Sequence, residues 1–204
     1  MTSNSTLSKH LRITDPSPWI TRFSGLVPSS GCVLDLACGG GRHSKLFVEQ
    51  GHRVAAVDKN TTAVQERLGH APNLEVIEAD LESPVPPFDK GGCLANRTFD
   101  GIVVVNYLYR RHLQDLLSAL NPGGVLLYET FAVGNEAYAR PRNPDHLLKS
   151  GELLNLVQGR LQVVAYEHGL IKANDIPGVK QRIVAINDLT TNAEPPHHVL
   201  SDYV

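Results

Sequence analysis

The residues best suited to chemistry gather in one stretch, CVLDLACGGGRHSKLFVEQGHRVAAVD at 32–58, which reads as a strand, a glycine turn, a helix and a second strand ending in an acid. Gly39 and Gly41 let the backbone turn tightly and approach a ligand with no Cβ in the way, and a helix beginning near Arg42 presents free N–H groups and a positive dipole end. Asp58 falls at the carboxyl edge of the second strand, where a carboxylate can accept two hydrogen bonds from a ribose diol. So far this describes any nucleotide on a doubly wound sheet. With small Ser44 in the last position, a nicotinamide-type G-x-G-x-x-small reading stays open on glycine spacing. Asp35 separates the possibilities. Placed four residues before Gly39, it would repel a pyrophosphate across a partly desolvated gap and attract a cation.

Holding these groups together requires a sheet. Runs of apolar, β-branched-rich residues recur between amphipathic or turn-rich segments, the pattern of a parallel sheet covered by helices on both faces. They predict seven strands, over 32–37, 53–57, 74–78, 101–105, 125–130, 161–167 and 181–186. Apolar residues at spacings of three and four predict helices over 42–49, 62–68, 112–120 and 151–157, the first three suited to right-handed crossovers. PSPWITRF at 16–23 has Pro at a helix start and predicts one more helix against the sheet. Residues 81–98 hold three prolines and a Gly-Gly, so an irregular connection is expected there. The fold class is a single-domain, doubly wound α/β sheet, with an N-terminal segment at 1–30, the main domain at 31–187 and a polar tail at 188–204.

A chain of 204 residues supplies one core of this kind and leaves no room for a separate substrate domain. No run reaches the roughly 18 apolar residues of a spanning helix, and the N-terminus lacks the apolar block of a secretory signal, so a cytoplasmic protein without a membrane partner is expected. Cys32, Cys38 and Cys93 form no Cys-x-x-Cys pair, which argues against disulfides and against a metal site. His197 and His198, in the tail, read as a solvated pair. Nineteen basic against 21 acidic residues disfavour general nucleic-acid binding and favour a small-molecule acceptor.

S-adenosylmethionine carries a sulfonium and an α-ammonium beside a carboxylate, the mixed charge that an acid on the first strand and helix N–H groups beyond it would accommodate. There is no Tyr-x-x-x-Lys pair for a short-chain dehydrogenase and no G-x-x-x-x-G-K-[ST] loop. VLDLACGGGRHS, followed by VAAVD, EAD at 78–80, FDGIVVVN at 99–106 and NPGGVLLYETF at 121–131, resembles the class I S-adenosylmethionine-dependent methyltransferases over about residues 30–187. The GGGRHS turn and NYLYRR are most similar to small bacterial tellurite-resistance and thiopurine methyltransferases.

The resemblance implies strand order 3-2-1-4-5-7-6 with strand 7 antiparallel. It also implies that Asp35, Gly39 and Gly41 hold the methionyl part, with Arg42 or His43 near its carboxylate, that Asp58 binds the ribose, and that Asp80 and Leu81 meet the adenine. Asn106 would face the transferable methyl. Ala37 stands where many members have a first glycine, and alanine fits there if its φ is negative. Cys38 would be partly covered by cofactor.

Methyl transfer is an in-line displacement that depends mainly on alignment, so a general base is needed only for a protonated acceptor. Asn106, Tyr107 and Glu129 are the catalytic candidates. Asn106 could equally cap a helix starting near Tyr107, and Glu129 could equally be a strand-end acid paired with an arginine. Tyr109, Arg110, Arg111, Tyr138, Arg140 and Arg142, from the segment after the fourth strand and the long loop 131–149, are the substrate candidates. Convergence of these arginines on one pocket would suit an anionic acceptor. A continuous basic surface would instead suit an RNA or protein substrate, and a cofactor site without an acceptor cavity would suit a non-catalytic binding module.

Overall fold

The apolar runs form the buried strands of one sheet in a computed structural model that describes residues 13–172 and 177–188. In chain order the elements are α1 (Pro18–Phe23), β1 (Cys32–Leu36), α2 (Arg42–Glu49), β2 (Arg53–Asp58), α3 (Thr62–Leu68), β3 (Leu74–Glu78), β4 (Phe99–Val105), α4 (Leu113–Ser118), β5 (Leu120–Phe131), α5 (Glu152–Val157), β6 (Gln162–Ile171) and β7 (Gly178–Ile186). The sheet order is β3-β2-β1-β4-β5-β7-β6. The first five strands pair in parallel, and β7 runs antiparallel between β5 and β6. The chain reverses direction across the sheet between β1 and β4, and the carboxyl ends there are where open α/β sheets bind ligands.

β1 is buried on both faces, with Val33 and Leu34 wholly enclosed, as a central parallel strand must be. On one face Trp19, Ile20 and Phe23 of α1 and Phe47 of α2 pack on Val33, Val103, Leu127 and Val184. On the other, Leu116 and Leu117 of α4 and Leu153, Leu156 and Val157 of α5 pack on Leu34, Ile102, Leu126 and Ile183. The helix expected within 16–23 forms as α1 and packs on the sheet.

Three expectations need adjusting. β5 begins at Leu120 rather than at 125, because Phe99 pairs with Leu120 beyond a register shift and draws Asn-Pro-Gly-Gly into the strand. β6 and β7 extend past their expected ends, with Gly169 opposite Lys180 and Ile171 opposite Gly178. β6 is a largely exposed edge strand, so its outer half carries no apolar run to read. No helix starts near Tyr107. A short 3₁₀ turn at Arg110–His112 leads into α4 instead. Residues 81–98 are irregular as expected, with Leu94 wholly buried. The tail reading and the His197–His198 pair lie outside the described residues.

Candidate active site

The turn after β1 is built from backbone in the left-handed region, with φ of 56° at Ala37, 55° at Gly39 and 73° at Gly41. Ala37 thus lacks the negative φ that would make alanine comfortable, and holding an L-residue there costs about 1–2 kcal/mol. β1 stops at Leu36 for this reason. Gly41 takes the tight turn expected of it and has a second reason to be glycine. A Cβ on it would come within 2.6 Å of Val64 Cγ2, so its missing side chain admits α3. Gly39 donates its N–H to Asp58 Oδ2 at 2.8 Å, and Asn60 donates to Oδ1 at 3.0 Å. These two bonds aim a half-buried carboxylate at the edge of β2.

Asp35 lies deeper than expected, at 1% exposure. Its Oδ2 accepts the Ser44 N–H at 2.8 Å and the Ser44 hydroxyl at 2.6 Å, which ties β1 to the first turn of α2. Burial pushes its carboxyl up to about 6 against the opposing Ser44 bonds and Arg42. These bonds give it a positioning role at the turn, and it places a negative field behind the turn. Among the described residues the amides of Gly40, Arg42 and His43 have no protein acceptor. Cys38 is covered by Ala56, Val64 and Leu68, not by a ligand, and burial with Asp35 and Asp58 drives its thiol far up, so it is no nucleophile.

At the end of β3, Asp80 is exposed and its Oδ1 accepts the Glu82 N–H at 2.9 Å. The Leu81 side chain is 5% exposed and belongs to the core, so it offers little apolar surface to an adenine. The Leu81 carbonyl meets His112 Nε2 at 2.6 Å. The Tyr107 hydroxyl is buried with no hydrogen-bond partner among the described residues. Burial, with Glu82, Tyr109 and Asp80 nearby, raises its phenol well above the ordinary value. Tyr107 is therefore a neutral donor at the Asp80 end.

A second cluster sits at the ends of β4 and β5. Asn106 has φ 58°, donates its N–H to the Glu129 carbonyl at 2.9 Å, and caps no helix. Its Oδ1 accepts Lys180 Nζ at 2.9 Å. Glu129, 4% exposed, accepts Lys180 Nζ at Oε1 and the Ser17 hydroxyl at Oε2, 2.7 Å away, with Arg182 4.0 Å off. Burial alone would raise this carboxyl, but Lys180, Ser17 and Arg182 bring it below the usual range, so Glu129 is a held anion rather than a general base. The expected arginine partner is present as Arg182, and Lys180 is a closer second cation.

Ser17 also donates its N–H to His43 Nε2 at 3.1 Å. Burial, Arg42 and Lys180 push the imidazole down to about 3, so it is neutral. Arg42 is half-buried at the start of α2, donates to the Asp15 carbonyl at 3.1 Å, and has no ion pair among the described residues. A cation at a helix N-terminus is electrostatically unfavourable without an anion.

Ser17, Trp19, Lys180 and Arg182 were not anticipated. The signal for the last two was two cations in i, i+2 spacing inside the otherwise apolar strand GVKQRIVAI. Ser17 had none, since its partner lies 112 positions away. Ser17→Ala removes a hydrogen bond to a buried carboxylate and is expected to cost about 2 kcal/mol. Urea unfolding with an unchanged m-value would read this, and a cost under about 0.5 kcal/mol would show that the latch contributes nothing.

The substrate candidates do not converge. Arg110 spends its fork on Glu152, at 2.7 and 3.0 Å, and on the carbonyls of Asp145 and Leu147, so it clamps the long loop. Tyr109 packs on His112 with centroids 4.7 Å apart. Arg111, Tyr138, Arg140 and Arg142 are exposed, and the two segments are joined by Arg110 on the loop carbonyls rather than around a shared cluster of arginines. The loop is shaped from within by wholly buried Asn135, whose Nδ2 donates to the Ala139 and Pro141 carbonyls.

Comparison with known proteins places this arrangement in context. The family profile described as a methyltransferase domain matches residues 8–169. Trans-aconitate 2-methyltransferase of Rhodopseudomonas palustris (strain BisB18) is 34% identical over 96 residues, covering 46% of this chain and 36% of that protein. The chain thus spans about a third of that relative's length. TehB from Haemophilus influenzae superposes with a TM-score of 0.65 at 18% identity, over 82% of this chain and 61% of that one. Burkholderia thailandensis 1,6-didemethyltoxoflavin-N1-methyltransferase, solved with 1,6-didemethyltoxoflavin and S-adenosylhomocysteine bound, superposes with a TM-score of 0.62 at 17% identity, over 84% and 77%.

Proposed function

This chain belongs to the methyltransferase-domain family, and from that premise we propose that it transfers a methyl group from S-adenosylmethionine to a small acceptor held at the ends of β4 and β5. The observation that carries the reading is the Gly39–Asp58 contact beside amides without a protein acceptor. The donor set fits the cofactor's chemistry from end to end. The Gly40, Arg42 and His43 amides with the Arg42 guanidinium would hold its carboxylate, Asp58 its ribose diol, and Asp80 its exocyclic amine. The buried Tyr107 hydroxyl, beside Glu82, lies at the same end. Buried Asp35 supplies negative field for the cationic centre.

When bound, the cofactor supplies a methyl carbon attached to a sulfonium, an electrophile with a neutral thioether as leaving group. The chain's own part is alignment and exclusion of water. Asn106 is fixed from two sides, by its amide on the Glu129 carbonyl and by Lys180 on its Oδ1. That leaves its carboxamide NH₂ to orient an acceptor. Ser17 and α1 close over the end of β5.

Asp58→Ala is expected to weaken S-adenosylmethionine binding about tenfold, through loss of charge-assisted hydrogen bonds to the diol. Titration calorimetry on the full chain measures it. An unchanged dissociation constant would remove Asp58 from the site, and no binding by the wild-type protein would end the methyltransferase reading.

A further inference from the structure

We propose, building on the methyltransferase reading, that the acceptor is a small carboxylic acid, bound in the groove on the β6–β7 hairpin and anchored by Lys180, and that the product is its methyl ester. The groove encloses about 440 Å³ and is walled by Gly169, Ile171, Lys172, Lys180, Arg182 and Glu167, a volume suited to a small ligand. Lys180 links it to the transfer position, because it lines the groove and also donates to Asn106 Oδ1 at the end of β4.

The charge of the groove is positive on balance. Glu167 is taken by Arg182, whose Nε donates to Oε2 at 2.8 Å. Glu129 lies beneath Lys180 and takes one of its donors. An ammonium has three donors; Glu129 and Asn106 account for two. The third, together with exposed Lys172 at the rim, has no carboxylate of the protein to meet among the described residues. Leu170 and Ile171 add apolar wall beside these cations. A carboxylate on a short hydrocarbon chain matches that lining.

The surrounding groups point the same way. A protonated acceptor would need a base, and the enclosed titratable groups nearest Asn106 are already committed, while His168 stands on the outer wall of the groove. Glu129 is enclosed and ion-paired, His43 Nε2 already accepts the Ser17 N–H, and Tyr107 faces the other end. An acceptor that arrives already ionised needs no base. One carboxylate oxygen rests against Lys180 while the other forms the bond to the methyl carbon as the carbon–sulfur bond breaks. The electron pair leaves on sulfur and no proton moves.

The test uses the full chain with S-adenosylmethionine and a panel of butyrate, hexanoate, succinate, glutarate and benzoate, each beside its primary amide and the matching amine. S-adenosylhomocysteine release and product mass are followed. The expected result is turnover of one or more acids, giving a product that mild alkali hydrolyses, with no turnover of amides or amines. Lys180→Gln is expected to raise KM for the acid at least about tenfold while cofactor affinity stays within about twofold. Since that change also unpairs Glu129, Lys172→Glu is the companion variant, expected to raise KM about threefold or more with kcat unchanged and with the effect shrinking in high salt. Turnover of amines or amides, an alkali-stable product, no turnover of any acid by cofactor-bound protein, or an unchanged KM in Lys172→Glu would each overturn the carboxylate assignment. Failure to bind the cofactor at all would instead overturn the reading beneath it.

Discussion

Glu129→Ala is expected to cost about 3–5 kcal/mol of stability, the usual range when one member of a buried ion pair is removed and the other stays behind. The side chains of Glu129 and Lys180 are 5% and 15% exposed, so the ammonium left by the substitution cannot recover its hydration without rearrangement. Arg182 loses its second acid at the same stroke, and Ser17 loses the acceptor that draws α1 over the sheet. The variant should also bind α1 loosely, with more rapid amide exchange at Thr21, whose N–H is bonded to the Ser17 carbonyl. Replacing both partners, as Glu129→Met with Lys180→Met, should recover most of the loss, because a well-packed apolar pair is often no less stable than the ion pair it replaces. Urea unfolding of the single and double variants measures this. A single-variant cost below about 1 kcal/mol, or no recovery in the double variant, would mean that the pair is screened by solvent and does not organise the end of β5.

Acid sensitivity should trace largely to His43. Its imidazole is 3% exposed and is pushed down to about 3 in the folded protein, against an ordinary value of 6.5. A group depressed on folding contributes stability that is present above its unfolded value and is lost as pH falls toward the folded one. The loss therefore begins near pH 6.5 and runs to about pH 3, at about 1.4 kcal/mol per unit. Asp35 acts with the opposite sign: raised to about 6 from 3.8, it makes the fold more stable as pH falls across that interval. The two partly cancel in the wild-type profile, so the informative quantity is a difference between variants. The stability gap between wild type and His43→Gln should shift by about 3 kcal/mol against the wild type between pH 7.5 and 4.5. With Asp35→Asn the gap should move the other way. Parallel pH profiles for wild type and His43→Gln would show that His43 is not the buried neutral base that its contact with Ser17 makes it.

The contrast between these two residues bears on what could be read in advance. Asp35 is legible because it is local: an acid one strand-length before a glycine turn can only sit under that turn. Its depth was not legible, because the Ser44 amide and hydroxyl that enclose it depend on how α2 leaves the turn. Gly41 is similar. The glycine was seen, but its second reason is Val64 of α3, a neighbour that only packing supplies. Arg110 shows the reverse error. A guanidinium near the ligand-binding edge invited a substrate role, yet Glu152, 42 positions away, claims it.

The sequence by itself determined the class of the molecule. Strand-length apolar runs, the glycine turn and the acids at strand ends are encoded within a few residues of each other, and with the later motifs they identify the sheet, its order and its cofactor edge. Tertiary structure alone decided which charged groups meet at the acceptor end. Ser17, Asn106, Glu129 and Lys180 come from α1's cap, the end of β4, β5 and β7, and their side-chain contacts span 51 to 112 positions. Such pairings follow from the register of β5 against β7, which sets Glu129 opposite Arg182 and Phe131 opposite Lys180. Register is fixed by the packing of whole faces, to which every strand contributes and which no short stretch of sequence carries.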